Sequence, residues 1–341
     1  MSYFKPFTSI KRNNYVRKRL KETKFGQVVS VFTNNKNIYD QLLNKDVDFV
    51  IFGIAEDIGV SANLGKAGTK RAWDVVIKYL LNIQANDFNH AEKVFILGHF
   101  EFIELQDKIE TLDQSKSKDL KKIRAFVDII DNEISYLISL IISAGKTPII
   151  IGGGHNNSYG NIKGTALALK KAINVINFDA HHDFRPMEGR HSGNGFSYAF
   201  NEGFLKRYFI FGLHEDYISK DAFKTLNRQK PIFYRTYEDI ELNQKPEFQK
   251  ELNTASKFVE GTHLGIEVDL DAIENFPSSA MTPSGFSANQ ARQFVKFFGS
   301  KKSAAYLHIC EAAPSADNEA QVGKMVSYLI SDFIKAQKGI D

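Results

Sequence analysis

Cysteine is almost absent: Cys310 is the only one in 341 residues. That excludes an intrachain disulfide and removes the argument for an oxidising compartment, so the expected setting is the cytoplasm. Long apolar runs are missing too. The most apolar stretch, Ile134 to Ala144, is too short and too interrupted by serine to span a bilayer. No opening segment has the apolar stretch of a secretory signal, and no membrane role is expected. Nor is there a Pro/Ser-rich linker, an internal repeat, or a low-complexity tract beyond the charged Ser115–Lys122.

The composition that remains, 43% hydrophobic and 25% charged, is that of a globular protein and excludes disordered, collagenous and coiled-coil classes. The net charge of +4 is unevenly spread. Residues 1–25 hold eight Lys and Arg against one acid, a surplus of seven, which leaves −3 for the rest. Clustered positive charge can bind phosphates. This segment, however, interleaves Tyr3, Phe4, Phe7, Tyr15 and Phe25 with no recognition motif. It is expected to pack on the body or on a neighbouring subunit, with no nucleic-acid partner. The simplest partition is a basic extension over 1–45 and one α/β domain over 46–341.

After the extension, short β-branched or aromatic runs alternate with longer segments of helical period, the pattern of a largely parallel sheet covered by helices. The expected strands are Asp48–Gly53, Val94–Leu97, Thr147–Ile151, Asn174–Phe178, Arg207–Phe211, Pro231–Phe233, His263–Val268 and Ala304–Ile309. The expected helices are Thr69–Leu81, Leu120–Ala144, Tyr159–Ala172, Lys220–Asn227, Lys245–Lys257, Asn289–Phe298 and Gln321–Ala336. The predicted fold class is α/β, a three-layer α/β/α arrangement around a mostly parallel sheet of about eight strands.

Metal-type residues collect at the carboxyl ends of three of these strands, the edge where open α/β sheets place ligands. Pro148–Ile151 runs into Gly152-Gly153-Gly154-His155, Val175–Phe178 into Asp179-Ala180-His181-His182-Asp183, and Leu264–Val268 into Asp269-Leu270-Asp271. Residues two apart in extended chain share a side, so Asp179, His181 and Asp183 can converge while His182 points away as a packing residue. Taken singly, a DxD is a turn and a Gly-Gly-Gly-His a flexible loop; their co-occurrence on three strand ends is what points to a site. With His155 included, four carboxylates and two imidazoles carry more negative charge than one buried site can hold without cations, and two divalent ions would balance it. Oxygen-rich ligation with two histidines favours Mn²⁺, with Zn, Fe, Co and Ni left open. In two-metal sites the ions sit about 3.5–4 Å apart and bring the pKa of water toward about 7, so metal-assisted hydrolysis is the expected reaction class. His90, His99, His263 and His308 read as ordinary satisfied or exposed histidines.

In order and approximate spacing, these segments resemble the ureohydrolase family of arginases, agmatinases and formimidoylglutamases. Gly152–His155 resembles the family's first metal motif, Asp179–Asp183 its D-A-H-x-D, and Glu267–Asn275 its S-x-D-x-D-x-L-D-P. The resemblance implies an arginase-like fold and two Mn²⁺ per subunit. His155 and Asp183 would bind one ion, His181 and Asp271 the other, and Asp179 and Asp269 would bridge them. A hydroxide between the ions would be the nucleophile. Glu311, just after the last predicted strand, resembles the carboxylate that receives the substrate's cationic nitrogen group. With Asp183 it makes up the expected catalytic pair. Glu267 stands where the family has Ser, Glu274 where it has Asp and Asn275 where it has Pro. Spacing alone leaves open a register in which Glu267 and Asp269 are the ligands.

Gly154 before His155, Arg185-Pro186 after the second motif, the stretch Arg190–Phe196, and Glu56–Gly68 resemble the formimidoylglutamase branch more than arginases. The implied reaction is hydrolysis of N-formimidoyl-L-glutamate to L-glutamate and formamide, a step of histidine breakdown. The alternative is a guanidino hydrolase acting on arginine or agmatine and releasing urea. The implied substrate-binding residues are Arg185, Arg190, Ser192 and Asn194, the arginines as bidentate clamps for carboxylates. For Arg185 an internal ion pair is equally open. Relatives form trimers or hexamers, which implies a homo-oligomer.

Overall fold

The computed structural model describes residues 2–33, 37–243 and 247–339. Its strands are β1 (Phe4–Pro6), β2 (Ser30–Val31), β3 (Phe49–Ala55), β4 (Val94–Glu101), β5 (Thr147–Ile151), β6 (Ile173–Phe178), β7 (Leu205–Leu213), β8 (Ile232–Thr236), β9 (Leu264–Asp269) and β10 (Ala304–Cys310). They form one sheet in the order β1-β4-β3-β5-β10-β9-β6-β7-β8, with β2 also paired to β4. Every pairing is parallel except β1 with β4. All eight expected strands are present. The two additional ones come from the basic N-terminal segment and are too short to show an alternation in sequence.

The strands read as near-continuous apolar runs because both faces are covered, as parallel sheets require. Alternate residues go to opposite layers: Phe49, Ile51, Ile149, Ile151, Ile266, Val268, Leu307 and Ile309 face one core, and Val50, Phe52, Ile54, Ile150, Val175 and Tyr306 face the other. The first layer is built by helices Ala72–Leu80, Phe248–Phe258, Ala288–Gly299 and Glu319–Lys338, and the second by Ser117–Ser143, Asn157–Leu169 and Gly195–Asn201. The predicted start of one helix, Lys245, lies outside the described residues. No described helix is long and apolar enough to cross a membrane.

β9 and β10 come last in the chain but slot between β5 and β6. Four central strands therefore end side by side, and these are the strands that carry the metal-type motifs and Glu311.

The N-terminal segment is joined to this body by its aromatic residues. Phe4, Phe7 and Phe25 are buried, whereas Arg17, Lys18, Arg19 and Lys21 face solvent. The Phe7 amide donates to Leu97 O at 3.0 Å, and its ring meets Trp73 edge-on at 6.3 Å. Phe7 is only 2% exposed. Phe7→Ala should therefore cost about 3–5 kcal/mol of stability. Urea denaturation checks this, and an unchanged midpoint would mean that the segment does not belong to the core.

Candidate metal centre

The site begins with a turn that only glycine makes cheaply. After β5 the chain passes through Gly152 and Gly153 at φ 85° and 73°, left-handed conformations without penalty for glycine. A Cβ on Gly153 would stand 2.3 Å from Asn157 Nδ2 and 2.8 Å from Glu56 Oε1. That closeness lets buried Glu56 organise the loop. Its carboxylate accepts hydrogen bonds from Gly154 N at 3.0 Å, Asn157 Nδ2 at 2.7 Å and Gly59 N at 3.0 Å. The loop wraps around Glu56 and delivers His155 to the strand ends.

The other two motifs use a shared device. β6 stops at Phe178 and β9 at Asp269, so strand alternation does not carry to His181, Asp183 or Asp271. Instead each leading aspartate turns the chain by capping the amide two residues on: His181 N donates to Asp179 Oδ1 and Asp271 N to Asp269 Oδ1, both at 2.7 Å. Asp183 and Glu311 then adopt φ of 43° and 62°, conformations that cost a non-glycine residue energy and persist only where the surroundings hold them.

The result is a compact donor set. His155 Nδ1 lies 3.2 Å from Asp179 Oδ2, 2.9 Å from Asp183 Oδ2 and 3.1 Å from Asp269 Oδ2. One ligand atom from each of these four residues falls within 4.8 Å of the others. On the far side of Asp179, His181 Nδ1 lies 3.6 Å from Asp179 Oδ1 and 3.9 Å from Asp271 Oδ2. Both ring nitrogens of His155 are buried without a well-formed hydrogen bond. Carboxylate oxygens and an unpartnered imidazole Nδ1 facing a common point fit a divalent cation.

Electrostatics agree with that fit. Burial and the neighbouring charges of Asp271 and Asp179 push Asp269 well above the usual carboxylate range, and burial pushes Asp271 the same way. Burial and then Asp271 push Glu311 up to about 8, against the hydrogen bonds it accepts from Ser279 Oγ and His155 N. Burial pulls His181 down, but Asp179, Asp271 and Asp183 outweigh it and hold it at about 10. In each case protons stand in for positive charge that cations would supply, and cation binding would displace them.

His181, Asp183, Asp269 and Asp271 open into a cavity of about 250 Å³, with His155 and Asp179 buried behind them. Glu311, Arg185 and Ser192 line it, together with Asn63 of the Glu56–Gly68 stretch and with Tyr217 and Ser279, which the motifs did not flag. Arg185, with its side chain 46% exposed, donates to Asn63 Oδ1 at 2.6 Å and to Glu188 Oε1 at 3.2 Å, so it both makes an internal ion pair and faces the cavity. Asn63 Nδ2 in turn donates to Ser192 Oγ at 3.1 Å. Tyr217 stacks on His181 at 5.0 Å. His182 accepts from Phe184 N, a packing role, although part of it also reaches the cavity wall.

Two expected substrate residues do not line the cavity. Arg190 is 2% exposed and donates to Asp131 from Nε at 2.8 Å and Nη2 at 3.3 Å, to Asn156 O at 2.9 Å and to Asn194 Oδ1 at 2.6 Å. The Tyr159 and Tyr198 rings, edge to face with each other at 6.3 Å, form a corner against its guanidinium at 4.8 and 4.9 Å. Asn194, fully buried, also holds His191 N and Gly189 O. These two side chains fasten the 185–194 loop to the residue after His155 and to the long helix Ser117–Ser143. Glu267 likewise sits below the cavity, bonded to Tyr306 and His308. Of the two registers that spacing left open, the pair facing the cavity is Asp269 and Asp271.

A buried arginine that loses its partner role leaves Asp131 uncompensated. Arg190→Met should therefore lower the stability of the fold by about 3–5 kcal/mol, read by chemical denaturation. An unchanged midpoint with only a raised KM would restore Arg190 as a substrate clamp.

The Arginase family model matches residues 47–335. A formimidoylglutamase of Macrococcus caseolyticus is 27% identical over 294 residues, covering 84% of this chain and 85% of that protein. One from Streptococcus pyogenes is 27% identical over 213 residues, covering 59% of this chain and 64% of that one. The crystal structure of formimidoylglutamase from Bacillus subtilis superimposes with a TM-score of 0.72 at 18% identity, over 97% of this chain and 99% of that one. Trypanosoma cruzi formiminoglutamase, solved with Mn²⁺, superimposes with a TM-score of 0.70 at 18% identity, over 93% and 98%. At such identities the solved structures speak to the fold, which is the three-layer α/β/α fold found here. The matched segment runs from β3 into the last helix and contains every residue of the donor set: the chain belongs to the arginase family.

Proposed function

We propose that the chain is a metal-dependent hydrolase that cleaves N-formimidoyl-L-glutamate to L-glutamate and formamide with two Mn²⁺ per subunit. The observation that carries this reading is the polarity of one cavity. Its floor is the carboxylate and imidazole cluster around His155, and its rim presents Arg185 beside neutral Asn63 and Ser192. The relatives named formimidoylglutamase support the choice within the family.

His155 and Asp183 would hold one ion, His181 and Asp271 the other, and Asp179 and Asp269 would lie between them. When bound, the cations supply Lewis acidity and lower the pKa of water toward about 7. The reaction consumes one water. Its oxygen ends on the formimidoyl carbon, the bond from that carbon to the glutamate nitrogen breaks, and the nitrogen leaves with a proton. Glu311 faces the reacting end, fixed by Ser279 Oγ and His155 N. Its carboxylate can accept hydrogen bonds from the amidine nitrogens, take up a proton of that water and pass it to the departing amine.

Arg185 at the rim shares its counterion, Glu188, with Arg124, which leaves one positive charge for a substrate carboxylate. Asn63 holds the Arg185 guanidinium in place for a bidentate contact.

A panel of formimidoylglutamate, arginine and agmatine tests this on purified Mn²⁺-loaded protein, with formamide and urea both measured. Formamide from formimidoylglutamate is expected, and Arg185→Gln should raise KM at least about tenfold, the loss of one charge-assisted pair, with kcat little changed. Urea from arginine or agmatine with no turnover of formimidoylglutamate would overturn the proposal.

A further inference from the structure

The strands around Glu267 are shaped to house a carboxylate there. Residues two apart on a strand share a face. On β9 these are Gly265, Glu267 and Asp269, which lie in register with Tyr306, His308 and Cys310 of β10, while Asn177 of β6 pairs with Glu267 from the other side. The row is polar and buried directly beneath the donor set, on the face opposite Ile266, Val268, Leu307 and Ile309.

Tyr306, His308, Gly265 and Asn177 each have a definite use in the row. Tyr306 Oη donates to Glu267 Oε1 at 2.7 Å, and His308 Nδ1 meets Oε2 at 2.5 Å. The tyrosine reaches this far because Gly265 has no side chain: a Cβ there would stand 2.5 Å from Tyr306 Cζ. Asn177 Nδ2 donates to Asp179 Oδ2 at 2.8 Å, bracing that carboxylate from below. The remaining side of Glu267 Oε2 faces Nε2 of His155 at 3.5 Å. That nitrogen is buried and makes no hydrogen bond, while Nδ1 of the same ring points at Asp179, Asp183 and Asp269.

We infer that Glu267 is a positioning residue for the metal centre: it receives the Nε2–H of His155, so that Nδ1 presents its lone pair to the cation. This rests on the metal-centre reading proposed above. A small rotation of the ring brings the 3.5 Å separation into ordinary hydrogen-bond range. A carboxylate behind a ligating imidazole fixes the tautomer and makes the ring a stronger donor, and removing such a partner typically costs about 10–100-fold in metal affinity. Tyr306 and His308 hold the carboxylate in place; they do not themselves face the cavity. The consequence is asymmetric, because His155 serves one ion and His181 the other. Loss of Glu267 weakens the ion on His155 and spares its neighbour.

The test is equilibrium dialysis of the full chain, stripped of metal, against graded Mn²⁺, with bound metal counted and folding followed by circular dichroism. The parent should bind two ions. Glu267→Gln should bind one of them about 10–100-fold more weakly and the other within a few-fold of the parent. Tyr306→Phe, which keeps the carboxylate but removes one of its anchors, should shift the same ion in the same direction by less. Two affinities within twofold of the parent in folded Glu267→Gln would overturn the inference. Should that variant fail to fold, unchanged affinities in Tyr306→Phe would overturn it. A parent that binds no second ion would refute the metal-centre reading itself, and this inference with it.

Discussion

Mutual repulsion among buried carboxylates is the constraint around which this molecule is organised. Asp179, Asp183 and Asp269 meet at His155 with ligand atoms within 4.8 Å of one another, and Asp271 stands beyond them next to His181. Two unit charges about 4 Å apart interact by about 4 kcal/mol even at an effective dielectric of 20, so such a group cannot be left to repel itself. Protons relieve it in one state, as the upward shifts of Asp269 and Glu311 indicate, and cations would relieve it more completely. Much of the surrounding architecture holds the group together against that repulsion. Glu56 pulls in the triple-glycine loop, the two aspartate-capped turns fix Asp179 and Asp269, and strained backbone at Asp183 and Glu311 aims the last two carboxylates.

A second layer of charge sets the shape of the cavity above that cluster. Arg190 and Asp131 bury a bidentate ion pair against two tyrosines, and the pair fastens the 185–194 loop to the His155 loop. With the loop fixed, Arg185 can stand at the rim with Asn63 and Glu188 as its partners. A ligand with an electrophilic, nitrogen-rich end and an anionic end is complementary to such a cavity. One end seeks carboxylates and Lewis acids; the other seeks a guanidinium.

The eight expected strands were legible in the sequence as runs of β-branched and aromatic residues; seven of them are largely buried on both faces, and β8, at the sheet edge, is half-exposed. β1 and β2 were not, because strands of three and two residues show no periodicity and owe their pairing to β4. The metal-type residues were legible for their chemistry and their places at strand ends, although the reason for their convergence differs from the expected one. Turns capped by Asp179 and Asp269, not strand alternation, bring His181 and Asp271 round. The burial of Arg190 away from the cavity was not legible, because nothing in its own neighbourhood reveals Asp131, 59 residues upstream on the long helix. Ser279 and Asn63 lie on loops and Tyr217 ends a single 3-10 turn, all placed by tertiary packing, and only Asn63 sits in a stretch that the sequence singled out. His308 reads as an ordinary histidine until its register opposite Glu267 is known.

The central claim is that six side chains on three strand ends hold two cations. Anomalous diffraction at the manganese edge, from crystals of the full chain grown with Mn²⁺, tests it most directly. Two peaks are expected, one between His155 and Asp183 and one between His181 and Asp271, with Asp179 and Asp269 touching both. A single peak, none at all, or density centred on His308 and Cys310 beneath the cluster would contradict it.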